Sequence, residues 1–333
     1  MNRFGEQELI EGVLTGERLA LARLLTLVEN DTPKGRAALD GLFPYTGNAY
    51  LVGVTGSPGT GKSSFVNRVA RAFRARGVGK VAVIAVDPSS PFSGGALLGD
   101  RVRMRDLSGD PGVFIRSMAS RGALGGLSRA TASVAQALDA GGFEIILIET
   151  VGAGQSEVDI ARLAHTVIVV EAPGLGDDIQ AIKAGILEIA DILVVNKRDL
   201  PGAEQTARVL KSALEMAHPV RYGPGGIPEP ASWLPPVLLT CSTGPQNMDE
   251  VVETIAMHRQ HIERTGERQQ RERERLRSTL EALLRDTLME RWKASLDAGA
   301  FDRVVEGLAA RRVSPFEAVS RLLDIQEQPV IDE

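Results

Sequence analysis

The sequence has a single cysteine, four histidines and only 4% aromatic residues. One cysteine excludes a disulfide framework and is typical of a reducing compartment. The histidines are scattered, so no cluster has the spacing of metal ligands. They are His165, His218, His258 and His261.

The chain also lacks long apolar runs and a basic excess. No run of apolar residues is long enough to span a bilayer, and a net charge of −5 argues against a dedicated nucleic-acid binder. The first residues match neither a signal peptide nor an Arg- and Ser-rich transit peptide. We therefore expect a cytoplasmic protein with no membrane and no nucleic-acid partner.

What the chain does have is a phosphate-binding motif, G-x-x-x-x-G-K-S, at residues 56–63. An apolar run at 50–55 reads as a strand and residues 64–70 read as a helix, which is the context that a P-loop requires. Backbone N–H groups at the helix start suit phosphate oxygens. Lys62 adds a positive charge for the β- and γ-phosphates, and the Ser63 hydroxyl suits Mg²⁺. The predicted phosphate-binding residues are Gly56, Ser57, Pro58, Gly59, Thr60, Gly61, Lys62, Ser63 and Ser64.

Short apolar runs alternate with helical segments from residue 50 to about 243. The runs are nearly continuous Val, Ile and Leu, as in strands buried on both faces of a parallel sheet. The pattern predicts a doubly wound α/β domain over 49–245, a helical extension over 1–48 and a helical region over 246–333. The predicted strands are 51–55, 81–86, 144–148, 166–170, 192–195 and 236–240. We interpret residues 33–47 as a link and expect a helix break near Gly12 or Gly16.

Acidic residues at strand ends predict a metal shell around the P-loop. Glu149 ends a strand in the Walker-B arrangement, where a carboxylate organises Mg²⁺. Asp87 ends the second strand and Asp100 lies in the long loop after it, so both are candidates to reach the metal. Gly152 can place its N–H near the γ-phosphate, and Gln155 is a candidate to orient the attacking water.

A base-recognition motif, N-K-x-D, lies at 196–199. The Asp199 carboxylate accepts two N–H bonds from the guanine edge, and adenine would leave this buried carboxylate unpaired. Asn196 ties this loop to the P-loop, and the Lys197 stem covers the base. The backbone around Ser242 and Thr243 resembles the fifth G-protein motif. The motifs together favour GTP over ATP.

The C-terminal region carries a leucine stripe on a long charged helix at 264–292. Residues 276, 280, 284, 288 and 292 of this stripe recur at every fourth position and need a partner, which is either the same domain or a second copy. A cap at 314–317, with proline at the first helical position, predicts a further helix.

These motifs resemble those of the P-loop GTPases that serve as metallochaperones and cobalamin-enzyme chaperones. The match is to the MeaB/MMAA branch, G-protein chaperones of adenosylcobalamin-dependent acyl-CoA mutases, also labelled ArgK or LAO/AO transport kinase. The stretches that carry the resemblance are 53–63, 86–90, 94–101, 122–127, 149–157 and 173–185.

The resemblance implies Mg²⁺ held around Ser63, Asp87, Asp100 and Glu149. It also implies a third switch at 173–185, a homodimer with the C-terminal helices as an arm, and a mutase client. Residues of the third switch are Asp177, Gln180 and Lys183, and the residues assigned to catalysis are Lys62, Glu149, Gln155 and Lys183.

Three functions are compatible with these residues. The first is a Mg²⁺-dependent GTPase that gates cofactor loading and protects a mutase, slow alone and stimulated by the client. The second is a metallochaperone GTPase, which needs clustered Cys or His ligands near the switches. The third is a P-loop kinase, which needs an acceptor site and a base. Among clients, the methylmalonyl-, isobutyryl-, ethylmalonyl- and 2-hydroxyisobutyryl-CoA mutases remain open.

Overall fold

The computed structural model describes residues 5–87, 107, 109–119, 129–150, 155–174, 184–217, 233–241 and 248–324. Its seven strands form one sheet in the order β3-β2-β4-β1-β5-β6-β7, and every neighbouring pair is parallel. The strands are β1 (Tyr50–Thr55), β2 (Val81–Asp87), β3 (Val113–Ala119), β4 (Ile145–Thr150), β5 (Thr166–Glu171), β6 (Ile192–Val195) and β7 (Val237–Leu239). The doubly wound α/β fold is therefore confirmed.

Helices connect the strands and extend the chain at both termini. The N-terminal ones are α1 (Glu6–Leu14), α2 (Arg18–Glu29) and α3 (Pro33–Leu42), followed by a short 3-10 helix, Phe43–Tyr45. The helices between strands are α4 (Lys62–Ala75), α5 (Arg129–Ala140), α6 (Gln155–Leu163), α7 (Ala184–Ile189) and α8 (Ala203–Ala217). After the sheet come α9 (Met248–Thr265), α10 (Glu267–Ser295), α11 (Ala300–Ala309) and α12 (Pro315–Asp324).

The sheet is buried on both faces, which explains its nearly continuous apolar strands. Residues of β1 alternate between two cores. Val52 and Val54 join a core with Phe65 of α4 and residues of α9, whereas Leu51 joins a core with Leu24 of α2 and residues of α5. All six predicted strands are present, within one or two residues of the predicted bounds.

The pattern missed β3, the edge strand that pairs only with β2. Arg116 interrupts its apolar character, and such a charge argues against a buried strand. In the fold Arg116 pairs with Glu29 at the end of α2, and both side chains are largely buried. The charge is tolerated because a distant helix supplies its partner, which no local pattern reveals.

The interpretation of residues 33–47 as a link was wrong, because α3 occupies most of that stretch. Pro33 is the first helical residue, a position that proline favours. The Thr32 hydroxyl accepts a hydrogen bond from the Gly35 N–H at 3.1 Å and so caps the helix. The break between the first two helices lies at Gly16, which has a φ of 81° and was one of the two positions predicted.

Two compact units make up the chain, Met1–Glu274 and Arg275–Glu333. The boundaries predicted at 48 and 245 stay predictions. In the second unit, α11 and α12 pack together and bury Ala300, Ala318 and Leu322. The Ser314 hydroxyl accepts from the Glu317 N–H at 3.2 Å, so the predicted cap of α12 is present.

Where the strands begin, opposite the P-loop, polar side chains form a largely buried network that we call the amino-edge cluster: Tyr50, Thr166, Asp191, His258 and Arg271. Both oxygens of Asp191 accept from the Arg271 guanidinium at 2.8 Å, and one also accepts from the Val167 N–H at 2.8 Å. His258 Nε2 lies 3.3 Å from Asp191 Oδ1.

The remaining members of the amino-edge cluster extend the network across the sheet. His258 Nδ1 lies 2.8 Å from the Thr166 hydroxyl, which lies 2.6 Å from the Tyr50 hydroxyl. Burial raises the pKa of Tyr50 to about 12. Burial also acts to raise the pKa of Asp191, but Arg271 and His258 more than offset it, so this pKa lies below its ordinary value. The cluster therefore joins α9 and the start of α10 to three neighbouring strands.

We expect Asp191→Asn to lower the free energy of unfolding by about 2 kcal/mol at pH 7, because it weakens the charged hydrogen bonds that the buried carboxylate accepts from Arg271 and leaves Glu267 as the acidic partner of that guanidinium. Urea unfolding followed by circular dichroism measures this change. Glu253→Gln, which removes an exposed partner of Arg76, is the matched control and should shift the midpoint little.

The difference in stability between wild type and Asp191→Asn should depend on pH. Because Asp191 has the lower pKa in the folded state, its contribution is fully present above the unfolded-state pKa of about 4. It is lost as the pH falls through the folded-state value. The stability difference between wild type and Asp191→Asn should narrow below about pH 4. A difference that stays constant between pH 7 and pH 3 would contradict this account.

Candidate functional site

The P-loop leaves the end of β1, the central strand, where β4 and β5 flank it on either side. Gly56 has a φ of 131°, and a Cβ there would lie 2.0 Å from the carbonyl oxygen of Val170 in β5. Gly61 is left-handed with a φ of 90° and precedes α4. Glycine is required at both turns. The P-loop therefore lies at the N-terminus of α4, which is the positive end of the helix dipole.

Lys62 lies across this loop rather than in solvent. Its Nζ donates to the carbonyl oxygens of Gly56 at 2.8 Å and Ser57 at 2.9 Å, and the residue is 7% exposed. The ammonium group is thus held within the turn that the motif assigns to phosphates. In this position it can stabilise negative charge at the P-loop.

Glu149, at the end of β4, meets the first turn of α4. The Ser63 hydroxyl donates to Glu149 Oε1 at 2.6 Å, and both residues are buried. The ends of β4 and β1 are also joined directly, because the Thr150 hydroxyl donates to the Thr55 hydroxyl at 3.0 Å. The structure therefore places the serine and the carboxylate of the predicted metal shell in direct contact.

The base-recognition loop is tied to the P-loop by two side chains. The Asn196 amide is 1% exposed and donates to the Thr60 carbonyl oxygen at 2.8 Å. Lys197, which has a φ of 58°, donates from Nζ to the Gly59 carbonyl oxygen at 2.7 Å. The Asn196 contact is the tie between the two loops that the motif predicts.

Asp199 is exposed, so the expectation of a buried carboxylate was wrong. The Cys241 thiol, which follows β7, donates to Asp199 Oδ1 at 3.2 Å. The Arg198 N–H also donates to the Thr240 carbonyl oxygen at 2.9 Å. The carboxylate is therefore exposed, and the residues that follow β7 contact both it and its loop.

Sequence reasoning missed the contribution of Glu171, at the end of β5. Its Oε1 accepts from the Ser57 hydroxyl at 3.2 Å, and its carbonyl oxygen accepts from the Asn196 N–H at 2.7 Å. An acidic residue that ends a buried strand was the signal used for Glu149, and it applies equally to Glu171. Glu171 joins the P-loop to the base-recognition loop.

Other predicted site residues have no described side chain. Asp87 ends β2 beside β4, and Gln155 is the first residue of α6, but in both cases only the backbone is described. The remaining ones lie outside the described residues: Asp100, Gly152, Asp177, Gln180, Lys183, Ser242 and Thr243.

The described residues contain neither a group of metal-ligand side chains nor a membrane-spanning helix. Across the described ranges, no three His, Cys, Asp or Glu side chains are arranged so that they could hold a metal ion. Among the helices assigned above, none is both long enough and apolar enough to cross a membrane.

The arrangement of motifs is matched by one family as a whole. The family described as Methylmalonyl Co-A mutase-associated GTPase MeaB matches residues 21–297. The chain belongs to the MeaB family. The resemblance drawn from the motifs is confirmed, and as a member of a GTPase family the chain binds guanine nucleotides.

Relatives of this MeaB family member carry related names. A Pyrococcus abyssi protein with GTPase in its name is 45% identical over 316 residues, 95% of each chain. The Escherichia coli GTPase ArgK is 38% identical over 270 residues, 79% of this chain and 78% of its own. The Caenorhabditis elegans methylmalonic aciduria type A homolog, named as mitochondrial, is 31% identical over 300 residues, 85% and 73% of the two chains.

A crystal structure described as an LAO/AO transport system kinase has the same fold. It is 28% identical and superposes with a TM-score of 0.71, covering 98% of this chain and 99% of the other. The similarity includes the helices that precede the sheet in the chain and those that follow it, because nearly all of both chains is covered.

The close approach at Gly56 predicts a specific defect. Gly56→Ala should weaken GDP binding by at least about tenfold, since the loop must shift by an amount that costs more than about 1.4 kcal/mol. Isothermal titration with GDP measures the loss. Gly77→Ala is the matched control, because Gly77 has a φ of 86° but no atom within 4 Å of the added carbon. It should cost about 1 kcal/mol of stability and leave GDP binding intact. Equal GDP affinities in the two variants would contradict the steric argument.

Proposed function

We propose that this chain is a cytoplasmic, Mg²⁺-dependent GTPase that acts as a G-protein chaperone of an adenosylcobalamin-dependent acyl-CoA mutase, such as methylmalonyl-CoA mutase. The observation that carries the proposal is the family match over residues 21–297, which includes every nucleotide-site motif. The contacts of Ser63 with Glu149 and of Asn196 with Thr60 support it, because they bring phosphate, metal and base motifs to one sheet edge.

In this proposal the nucleotide lies along the carboxyl edge of the sheet. The P-loop from Gly56 to Ser64 and the N–H of Gly152 hold the phosphates, with Lys62 as the charged group. The guanine base lies against Lys197, Asp199 and the backbone of 242–243. Asn196 acts on the base indirectly, since its amide holds the two loops together.

Where β4 meets the first turn of α4, the side chains have the chemistry that Mg²⁺ prefers in its ligands. The Ser63 hydroxyl and the Glu149 carboxylate are hard oxygen donors, and they meet in a buried position beside the P-loop. We assign Ser63, Glu149, Asp87 and Asp100 as the residues that would hold the ion directly or through water. When bound, Mg²⁺ neutralises charge on the transferring phosphoryl oxygens.

The chain's own groups would act on the γ-phosphate and on water. Lys62 would stabilise the charge that develops on the phosphoryl oxygens. Gln155, at the start of α6, would orient the attacking water, and Glu149 would hold the metal shell in place. We assign Asp177, Gln180 and Lys183 to a switch that responds to the client. Because completion of the site depends on the client, hydrolysis by the chain alone should be slow.

We expect the client mutase to raise kcat for GTP hydrolysis by at least about tenfold, because partner-supplied groups that act on this transition state give large accelerations. Phosphate release from GTP is measured with and without each candidate acyl-CoA mutase, and a pull-down under GTP and GDP identifies the client. Fast hydrolysis by the chain alone, with no response to any cobalamin-dependent mutase, would overturn the chaperone assignment.

The metal assignment predicts that Ser63→Ala loses Mg²⁺-dependent hydrolysis. We expect a decrease of more than about tenfold, the range typical even for partners of metal ligands. Ser63→Thr keeps the hydroxyl and is the matched control, with activity close to wild type. If Ser63→Ala and Ser63→Thr have the same Mg²⁺ dependence as wild type, the hydroxyl does not hold the ion.

The proposed homodimer would use an apolar face of the second unit. α10 buries none of its residues, and leucines 276, 280, 283, 284 and 288 are each at least 40% exposed. In the same unit, Phe316 of α12 is 90% exposed. Exposed apolar area of this kind marks an interaction surface. A second copy of the chain is the partner that the family resemblance implies.

We expect Leu284→Glu to convert a dimer to a monomer in analytical ultracentrifugation, because it places a charge in the apolar face. Ser278→Glu introduces the same charge at an exposed position of α10 that is not part of this face, and should leave the dimer intact. Wild-type protein that sediments as a monomer at micromolar concentration would contradict the assignment of the partner.

A kinase is a second candidate, because the similar crystal structure is described as a transport system kinase. The two functions differ in where the γ-phosphoryl group goes. Incubation with GTP labelled at the γ-phosphate distinguishes them. Release of inorganic phosphate supports a GTPase, and transfer of label to a protein or small molecule supports a kinase.

A further inference from the structure

The N-K-x-D loop at 196–199 is joined at three points to the two residues that follow β7. The Arg198 N–H donates to the Thr240 carbonyl oxygen at 2.9 Å, and the Thr240 hydroxyl donates to Asn196 Oδ1 at 3.3 Å. The third link is the Cys241 thiol, which donates to Asp199 Oδ1 at 3.2 Å. Of these links, only the third acts on the carboxylate that would read guanine.

This contact matters because Asp199 is exposed. An exposed aspartate samples several side-chain rotamers, yet it accepts two parallel N–H bonds from guanine only in one orientation. A carboxylate has about four lone-pair sites, so Oδ1 can accept from the thiol and still accept from the base. A donor on Oδ1 therefore reduces the rotational freedom that guanine binding would otherwise have to remove.

We propose that Cys241 is the positioning residue of Asp199, so that discrimination of the guanine 2-amino group depends on this thiol. The proposal rests on the proposed function, in which Asp199 accepts from N1 and from the 2-amino group. The thiol itself does not touch the base. It acts by holding one oxygen of the carboxylate, and its effect is largest for the ligand that uses both oxygens.

GDP and IDP separate the two contacts, because inosine lacks the 2-amino group but keeps the N1–H. In Cys241→Ala we expect GDP affinity to fall about fivefold, because binding must then remove the rotational freedom of one further side chain. IDP affinity should fall less, so the ratio of GDP to IDP affinity decreases. Cys241→Ser keeps a donor at this position and should restore the ratio. Both ligands are titrated into wild type and the two variants by calorimetry.

The outcomes separate this proposal from the proposed function. If wild type binds GDP no better than ADP, the proposed function fails. If wild type selects GDP but Cys241→Ala keeps the wild-type ratio of GDP to IDP affinity, the positioning role is wrong and the proposed function stands. Equal ratios in Cys241→Ala and Cys241→Ser, both below wild type, also overturn it, because the hydroxyl donor should then have compensated.

A second measurement does not depend on a variant that folds. Cys241 is the single cysteine of the sequence, so a thiol reagent reports on this position alone. N-ethylmaleimide forms one S–C bond, and the thiol hydrogen ends on the neighbouring maleimide carbon, with no oxidant required. We expect one equivalent to add, GDP to slow the addition where ADP does not, and the adduct to lose selectivity for GDP over IDP. An adduct that keeps wild-type selectivity overturns the proposal.

Discussion

The contact between Gly56 and β5 is the constraint on which the nucleotide site depends. With a Cβ position only 2.0 Å from the Val170 carbonyl oxygen, the first turn of the P-loop is pressed against the neighbouring strand. This close contact lets Ser57 reach Glu171, and it fixes where Lys62 and Ser63, at the start of α4, lie relative to the sheet. On the other side, β4 brings Glu149 into contact with Ser63. A looser turn would separate the phosphate loop from both carboxylates.

The two edges of the sheet differ in what they hold. At the carboxyl edge, short loops carry polar groups that contact one another across strands and face a ligand, as in other doubly wound sheets. At the opposite edge, the amino-edge cluster buries Asp191 against Arg271 and joins α9 and the start of α10 to the strands. The Asp191 and Arg271 charges are paired with each other there, so we interpret this edge as a support for the sheet rather than a ligand site.

Much of the fold and of the site could be predicted, because the relevant signals are local. Continuous Val, Ile and Leu runs marked six strands, and the motifs marked the P-loop, Glu149 and Asn196 as parts of one edge. The failures share a physical cause. Strand β3 contains Arg116, whose charge is paired by Glu29, and α3 begins at a proline that looks like a linker residue. Both depend on context outside the local pattern.

By itself, the sequence determined the family, the parallel sheet and the residues at the phosphate and base motifs, because these follow from spacing and periodicity along one segment. Only the tertiary structure decided which side chains from different strands meet. The contacts of Ser57 with Glu171 and of Cys241 with Asp199 each join residues that are far apart in the chain. Neighbours in a parallel sheet are set by strand order, and strand order is a property of the folded chain rather than of any segment.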